Sequence, residues 1–232
     1  MKQTVLTDRD YAALQKSKLF SNLRKEQIDE ALIIFEAYTQ RCQKGEILHR
    51  AGSVLKKFGM VLQGSVQVYR DDINGDRQIL ANVVSGENFG ESMCLLQVEE
   101  QPIHIVATQD SKIMWMSTAW MNSLCDGCTP FRHQLIHRFL QMLAERTLTM
   151  NDRIQILSKS TLRAKLITFF SQCVHRFGST SFVVPFDRAD MAVYLGADRS
   201  ALSRELSKMR LEGLIDFDKN RFSLIAKIEE EI

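Results

Sequence analysis

The sequence predicts an α+β chain: an antiparallel β-barrel preceded by helices, then one long helix, then a small domain in which a helix-turn-helix carries a β-hairpin wing. Three observations carry this. Apolar residues recur at helical spacing near the start. Short apolar runs punctuated by glycine fill residues 39–117. From Pro130 a long helical period returns, and beyond residue 158 helices, a strand and a closing hairpin follow.

A chain of 232 residues suits two domains of common size. Its 45% apolar and 25% charged residues fit a globular protein that buries its core without disulfides. The net charge of +2 excludes a uniformly basic coat and leaves room for one local basic patch. The start, MKQTVLTDRDY, lacks the apolar core of a signal peptide, and no apolar run approaches the roughly 20 residues that span a bilayer. The expected location is the cytoplasm, with no membrane partner. Cys42, Cys94, Cys125, Cys128 and Cys173 are few, odd in number and scattered, which reads as reduced thiols.

Residues from about 8 to 38 read as helix, with Leu14, Leu19, Leu23, Ile28, Leu32 and Phe35 at near-helical spacing. Strands follow. Val61-Leu62 leads to Gly64, and Val66, Val68 and Tyr69 alternate with polar residues. Asn74-Gly75 is a hairpin signal, because both turn positions can need positive φ. Ile79-Leu80, Val83-Val84, Ile103 to Val106 and Ile113 to Met116 complete a set of short strands, as in a sandwich or barrel. Met114, Trp115, Met116, Trp120 and Met121 read either as core packing or as the wall of a pocket for an apolar effector that Met150 and Asn151 would complete.

Pro130 opens a helix to about residue 158. Ile136, Leu140, Leu143, Thr147, Met150, Ile154 and Leu157 step by 4, 3, 4, 3, 4 and 3, a heptad seam with one polar member. The seam pairs with a second copy of itself or packs on the chain's own barrel. Cys125 and Cys128 precede His133 and His137 at a spacing that could hold zinc or form a redox pair; a loop pair of thiols and two surface histidines is the plainer reading.

In the last section Leu162, Leu166, Ile167, Phe169 and Phe170 form a helical face, and Phe182 to Val184 a strand. Asp187 can cap a helix, with Asp190 in the capping-box position. A small residue at Ala192 lets two helices approach. Gly196 can take the left-handed conformation that ends the first helix. Asp198 caps the second, and Leu202 buries it. Its outer face carries Arg199, Ser200, Ser203, Arg204, Lys208 and Arg210. Four basic residues against Glu205 make Arg199–Arg210 +3, where the whole chain is +2. An arginine fork can bond both guanine acceptors in the major groove, and serine and lysine suit phosphates. Lys219-Asn220-Arg221-Phe222 would turn a hairpin wing. There is no G-x-S-x-G, no phosphate loop and no carboxylate pair with a base, so no enzyme is expected.

Two regions resemble the cyclic-AMP receptor protein and fumarate–nitrate regulator (CRP/FNR) family. One runs through Lys44-Gly45-Glu46, Gly52, Gly64-Ser65-Val66-Gln67-Val68-Tyr69, Gly75 and Gly86-Glu87-Asn88-Phe89-Gly90-Glu91. It looks like the cyclic-nucleotide-binding barrel, a jelly roll. The other is Leu195-Gly196-Ala197-Asp198-Arg199-Ser200-Ala201-Leu202-Ser203-Arg204, the winged helix. The resemblance implies three segments: an effector-binding-like barrel over 1–128, a dimerisation helix over 129–158 and a DNA-binding domain over 159–232. It implies a homodimeric regulator of transcription that binds a pseudo-palindromic operator in double-stranded DNA and works with RNA polymerase. Half-sites would lie about 34 Å apart. The DNA-contacting candidates are Arg188, Asp198, Arg199, Ser200, Ser203, Arg204 and Lys208. The effector candidates are Phe89, Gly90, Glu91, Ser92, Gln101 and Pro102, with Met150 and Asn151.

Two departures from the family pattern matter. Cyclic-nucleotide binders place an Arg-Ser pair after the Gly-Glu turn, and here those positions read Gln101-Pro102. No lysine or arginine lies between Glu91 and Lys112. A buried cyclic phosphate would lack its cation, so cyclic AMP is not the expected effector. An iron–sulfur cluster is not expected either, because no cysteine precedes Cys42. In the recognition helix, Ser200 stands where the family usually offers a glutamate to cytosine. The alternatives are a constitutive DNA-binding dimer with an empty structural barrel, or a thiol or metal sensor on the same scaffold.

Overall fold

Two helices, not one, precede the first strand in this computed structural model, which describes residues 6–71, 77–122, 129–184 and 186–225. They are α1 (Asp8–Lys16) and α2 (Lys25–Ile34). The expected continuous helix breaks because Ser17 is extended and Asn22 takes φ 60°. Leu14, Leu19, Leu23, Ile28 and Phe35 are nevertheless all buried in one cluster, so their recurrence reflects a shared core rather than a shared helix. Thr7 and Asp10 close a reciprocal capping box at the start of α1.

Eight strands follow: β1 (Tyr38–Cys42), β2 (Ile47–His49), β3 (Phe58–Gln63), β4 (Ser65–Asp71), β5 (Arg77–Val84), β6 (Asn88–Phe89), β7 (His104–Ala107) and β8 (Ser111–Met116), with α3 (Glu91–Leu96) between β6 and β7. They form two antiparallel four-stranded sheets, ordered β1-β8-β3-β6 and β2-β7-β4-β5. The residues Asn74-Gly75 lie outside the described segments. The strands they would join, β4 and β5, pair from Ser65↔Val84 to Asp71↔Arg77 with a bulge at Val68/Tyr69.

In the first sheet the central strands β3 and β8 are buried on both faces. Along β3 and β8 the period of two sends Val61, Ile113 and Trp115 to the core between the sheets, with Val66, Val83 and Ile105 of the other sheet. Phe58, Met60, Leu62, Met114 and Met116 face the helices, packed with Phe20, Phe35, Met121, Leu135 and Phe139. Met114, Met116 and Met121 are thus core residues, Trp120 packs partly buried against them, and Trp115 belongs to the inter-sheet core. A short 3₁₀ turn, Ala119–Asn122, ends this part.

The helix α4 (Pro130–Leu157) then begins at the expected proline. Two compact units divide inside it, Met1–Ala144 and Glu145–Ile232. It carries more than one apolar stripe. Leu135 and Phe139 are buried in the first unit, and two of the seven seam members, Ile136 and Leu143, pack partly there, so that part of the seam does rest on its own unit. Ile156 is buried in the second unit. The other seam members Leu140, Met150, Ile154 and Leu157 are 54%, 58%, 63% and 42% exposed.

The second unit adds α5 (Leu162–Phe177), β9 (Ser181–Val183), α6 (Arg188–Leu195), α7 (Arg199–Leu211), β10 (Ile215–Asp218) and β11 (Arg221–Leu224). The three strands form a sheet ordered β10-β11-β9. Its core includes Leu166, Phe169, Phe170, Phe182, Leu202 and Phe222.

Candidate functional site

The reading head is built from the α6–α7 corner outward. Asp187 accepts from the amides of Ala189 and Asp190, so it caps α6, though through amides alone and without the reciprocal Asp190 bond. Gly196 ends α6 at φ 58° and ψ 50°, a left-handed conformation that glycine adopts without strain. Lys165 of α5 donates to the Leu195 carbonyl at 3.1 Å, which places a cation at the α6 C-terminus. Ala192 is buried at the corner, as its small side chain requires.

Asp198 caps α7 by accepting from the amides of Ser200 and Ala201. Its carboxyl is held below the usual range by the Ser200 hydroxyl first, then by those two amides. Leu202, Leu206 and Met209, spaced by 4 and 3, bury the inner face. The outer face exposes Arg199, Ser200, Ser203, Arg204, Lys208 and Arg210. Glu205, the one acid of the helix, points inward to Arg163 of α5 at 2.7 Å, and Arg163 also reaches Glu212 at 2.7 Å. The acid is neutralised from behind, and the exposed face stays cationic.

The hydroxyls are partly committed. Ser200 donates to Asp198 at 2.7 Å, and Ser203 donates to the Arg199 carbonyl at 3.0 Å. Both serines therefore present acceptor lone pairs rather than a free proton. Two arginines have contacts that the sequence reading did not include. Arg188 is half-buried over the Phe217 and Phe222 rings. Arg210 pairs with Asp216 at 2.8 Å. Sequence reasoning missed Arg163, Lys165 and Phe217, because their importance lies in contacts between elements that no local pattern encodes.

The effector candidates are less uniform. Phe89 is buried in the inter-sheet core, edge-on to Trp115 at 5.4 Å, and a Cβ at Gly59 would overlap its ring. It is a filler of the sandwich rather than the wall of a void. Gly90 turns into α3 at φ 76°. Glu91 and Gln101 are buried, whereas Ser92 and Pro102 are exposed. The Gln101 main chain accepts from Gly52 at 2.9 Å, and its side-chain carbonyl has no hydrogen-bond partner among the described residues. Met150 and Asn151 are exposed on α4, in the second compact unit. A cavity of about 570 Å³ beside His49, Leu55 and Trp115 is lined by none of the eight candidates.

His133 and His137 are exposed on α4, and Cys125 and Cys128 lie outside the described residues. Among the described residues no group of three or more His, Cys, Asp or Glu side chains could hold a metal. No described helix is long and apolar enough to cross a membrane.

A two-sheet sandwich with a helical turn between β6 and β7, joined to a capped helix-turn-helix with a wing, defines the class of DNA-binding transcription regulators. The family model of the cyclic nucleotide-binding domain matches residues 39–127, and that of the Crp-like helix-turn-helix domain matches residues 135–229. The chain belongs to the CRP/FNR family of transcription regulators; neither domain is that of an enzyme. It is 23% identical over 193 residues to electron transport regulator A of Shewanella oneidensis, covering 81% of this chain and 74% of that one. It is 24% identical over 202 residues to the cyclic AMP receptor protein of Thermus thermophilus, covering 87% and 89%. The crystal structure of DNR from Pseudomonas aeruginosa shares the fold with a TM-score of 0.52, at 22% identity and 97% coverage of both chains.

Proposed function

We propose that this chain is a homodimeric, sequence-specific regulator whose DNA affinity responds to a small effector other than cyclic AMP, held by the sandwich domain. One observation carries the reading. Arg199, Ser203, Arg204 and Lys208 share one exposed face of α7, while its opposite face is buried and its only acid is turned inward. That is the arrangement by which a helix lies in a major groove, with arginine reading bases and lysine meeting phosphates. Dimerisation is supported by the exposed seam of α4, which a second copy would cover. The fully buried Gln101, with an unsatisfied side-chain carbonyl, supports a polar group of the effector docking there. Its lack of charge argues against a cyclic phosphate. The duplex target implies action in the cytoplasm, together with RNA polymerase.

A second reading is favoured by Phe89 and Trp115, whose packed rings fill the space between the sheets. On that reading the sandwich is structural and DNA binding is constitutive. Native mass spectrometry of the purified full chain separates the two. A retained small molecule whose removal changes operator affinity supports a sensor. An empty protein whose operator affinity no extract or metabolite pool alters supports the constitutive dimer.

A further inference from the structure

Phe217 lies on β10, outside the recognition helix, yet it touches the interface from two sides. The Arg188 guanidinium carbon, at the start of α6, sits 4.9 Å from its ring centroid. That of Arg210, near the end of α7, sits 5.2 Å from it. Phe222 of β11 backs the arrangement, 5.8 Å from Phe217 and 5.0 Å from Arg188. The two arginines are otherwise treated differently. Arg210 has Asp216 at 2.8 Å. Arg188 has no ion-pair partner among the described residues, and its one polar contact is the Met191 sulfur at 3.8 Å.

A half-buried guanidinium without an anion is unfavourable unless something compensates. The aromatic faces supply part of that compensation, since ring quadrupoles attract cations. Burial alone lowers its pKa, with no acid to oppose the effect. Apart from the one bond to Met191, the guanidinium N–H groups have no acceptor among the described residues and none is buried without one, so they are free to grip a phosphate in bidentate fashion. The ring thus holds an arginine whose remaining need is an anion.

We infer that Phe217 is the positioning residue of the interface: its ring fixes the Arg188 guanidinium for a backbone phosphate and ties the wing to both helices of the helix-turn-helix. The inference rests on the DNA-reading assignment of α7. A phosphate contact carries no sequence information, so the ring governs affinity and not base preference.

Operator binding by the full chain, titrated over a range of salt concentrations, tests this with Phe217→Leu, Phe217→Tyr, Arg188→Lys and Arg204→Ala. Phe217→Leu keeps an apolar side chain and removes the ring. It is expected to bind operator roughly five- to tenfold more weakly, with the slope of log affinity against log salt reduced by about two, one phosphate per subunit of the dimer, and half-site preferences unchanged. Arg188→Lys keeps the charge and loses the stacking fork, and should behave alike. Phe217→Tyr restores the ring and should return affinity to within about twofold of the parent. Parent-like affinity and slope in both Phe217→Leu and Arg188→Lys overturn the inference. So does a Phe217→Tyr variant as weak as Phe217→Leu, which would reduce the ring to packing volume. If Arg204→Ala loses base preference while Phe217→Leu is unaffected, only this inference fails. If Arg204→Ala leaves operator preference intact, the DNA-reading assignment fails, and the inference with it.

Discussion

The Lys112 ammonium lies 2.6 Å from an Asp10 carboxylate oxygen, and both side chains are nearly or fully buried. The pair joins α1 to β8. Burial by itself would raise the Asp10 carboxyl, but hydrogen bonds from Lys112 and from the Thr7 amide and hydroxyl, with the Lys112 charge, outweigh it and leave the pKa lowered. The first cation after the β6–α3 turn is thereby committed to the scaffold.

Breaking that pair strands a buried charge. Asp10→Asn should cost about 3–5 kcal/mol, read as a drop in the urea midpoint of unfolding. The acid dependence has a definite sign. A carboxyl whose folded pKa is depressed contributes stability that is present above its unfolded pKa of about 3.9 and is lost as pH falls through the lower folded value. The parent should lose stability below about pH 4, and Asp10→Asn should lose less over the same range. Parallel curves for the two proteins would contradict the assignment.

Cyclic AMP should neither raise the melting temperature nor sharpen operator binding, because Gln101-Pro102 and the committed Lys112 leave no cation for its phosphate in the segment after the Gly-Glu turn. Isothermal titration reads this directly, and micromolar affinity would sink the claim.

The exposed seam predicts an obligate pairing surface. Ile154→Asp places a charge on a 63% exposed apolar position that a partner helix would bury. Sedimentation should show a monomer, and operator affinity should fall at least 100-fold as the second half-site contact is lost. Unchanged mass would point to dimerisation elsewhere or none.

In the reading head, Arg204→Ala should cost about 1–3 kcal/mol and blur one base position. Ser200→Glu supplies the acceptor that Ser200 is too short to offer. A binding selection with this variant should gain a preference for cytosine at one half-site position.

The sequence by itself determined the order of elements and the caps of the reading head. Asp187, Gly196 and Asp198 act through backbone atoms two to four residues away, so their effect is written in local spacing. Alternation in β3 and β8 likewise follows from a period of two. What only the tertiary structure decided depends on residues far apart in the chain. The Asn22 turn folds one helical pattern into α1 and α2 around a single core. Two of the seven α4 seam residues, Ile136 and Leu143, rest on their own unit, because Leu135 and Phe139 turn that part of the helix into the core. Arg163 turns Glu205 away from the groove across 42 residues of sequence, and the wing rings take Arg188. Periodicity reports which side of an element is apolar. It does not report what covers that side, because packing partners are chosen by the whole chain.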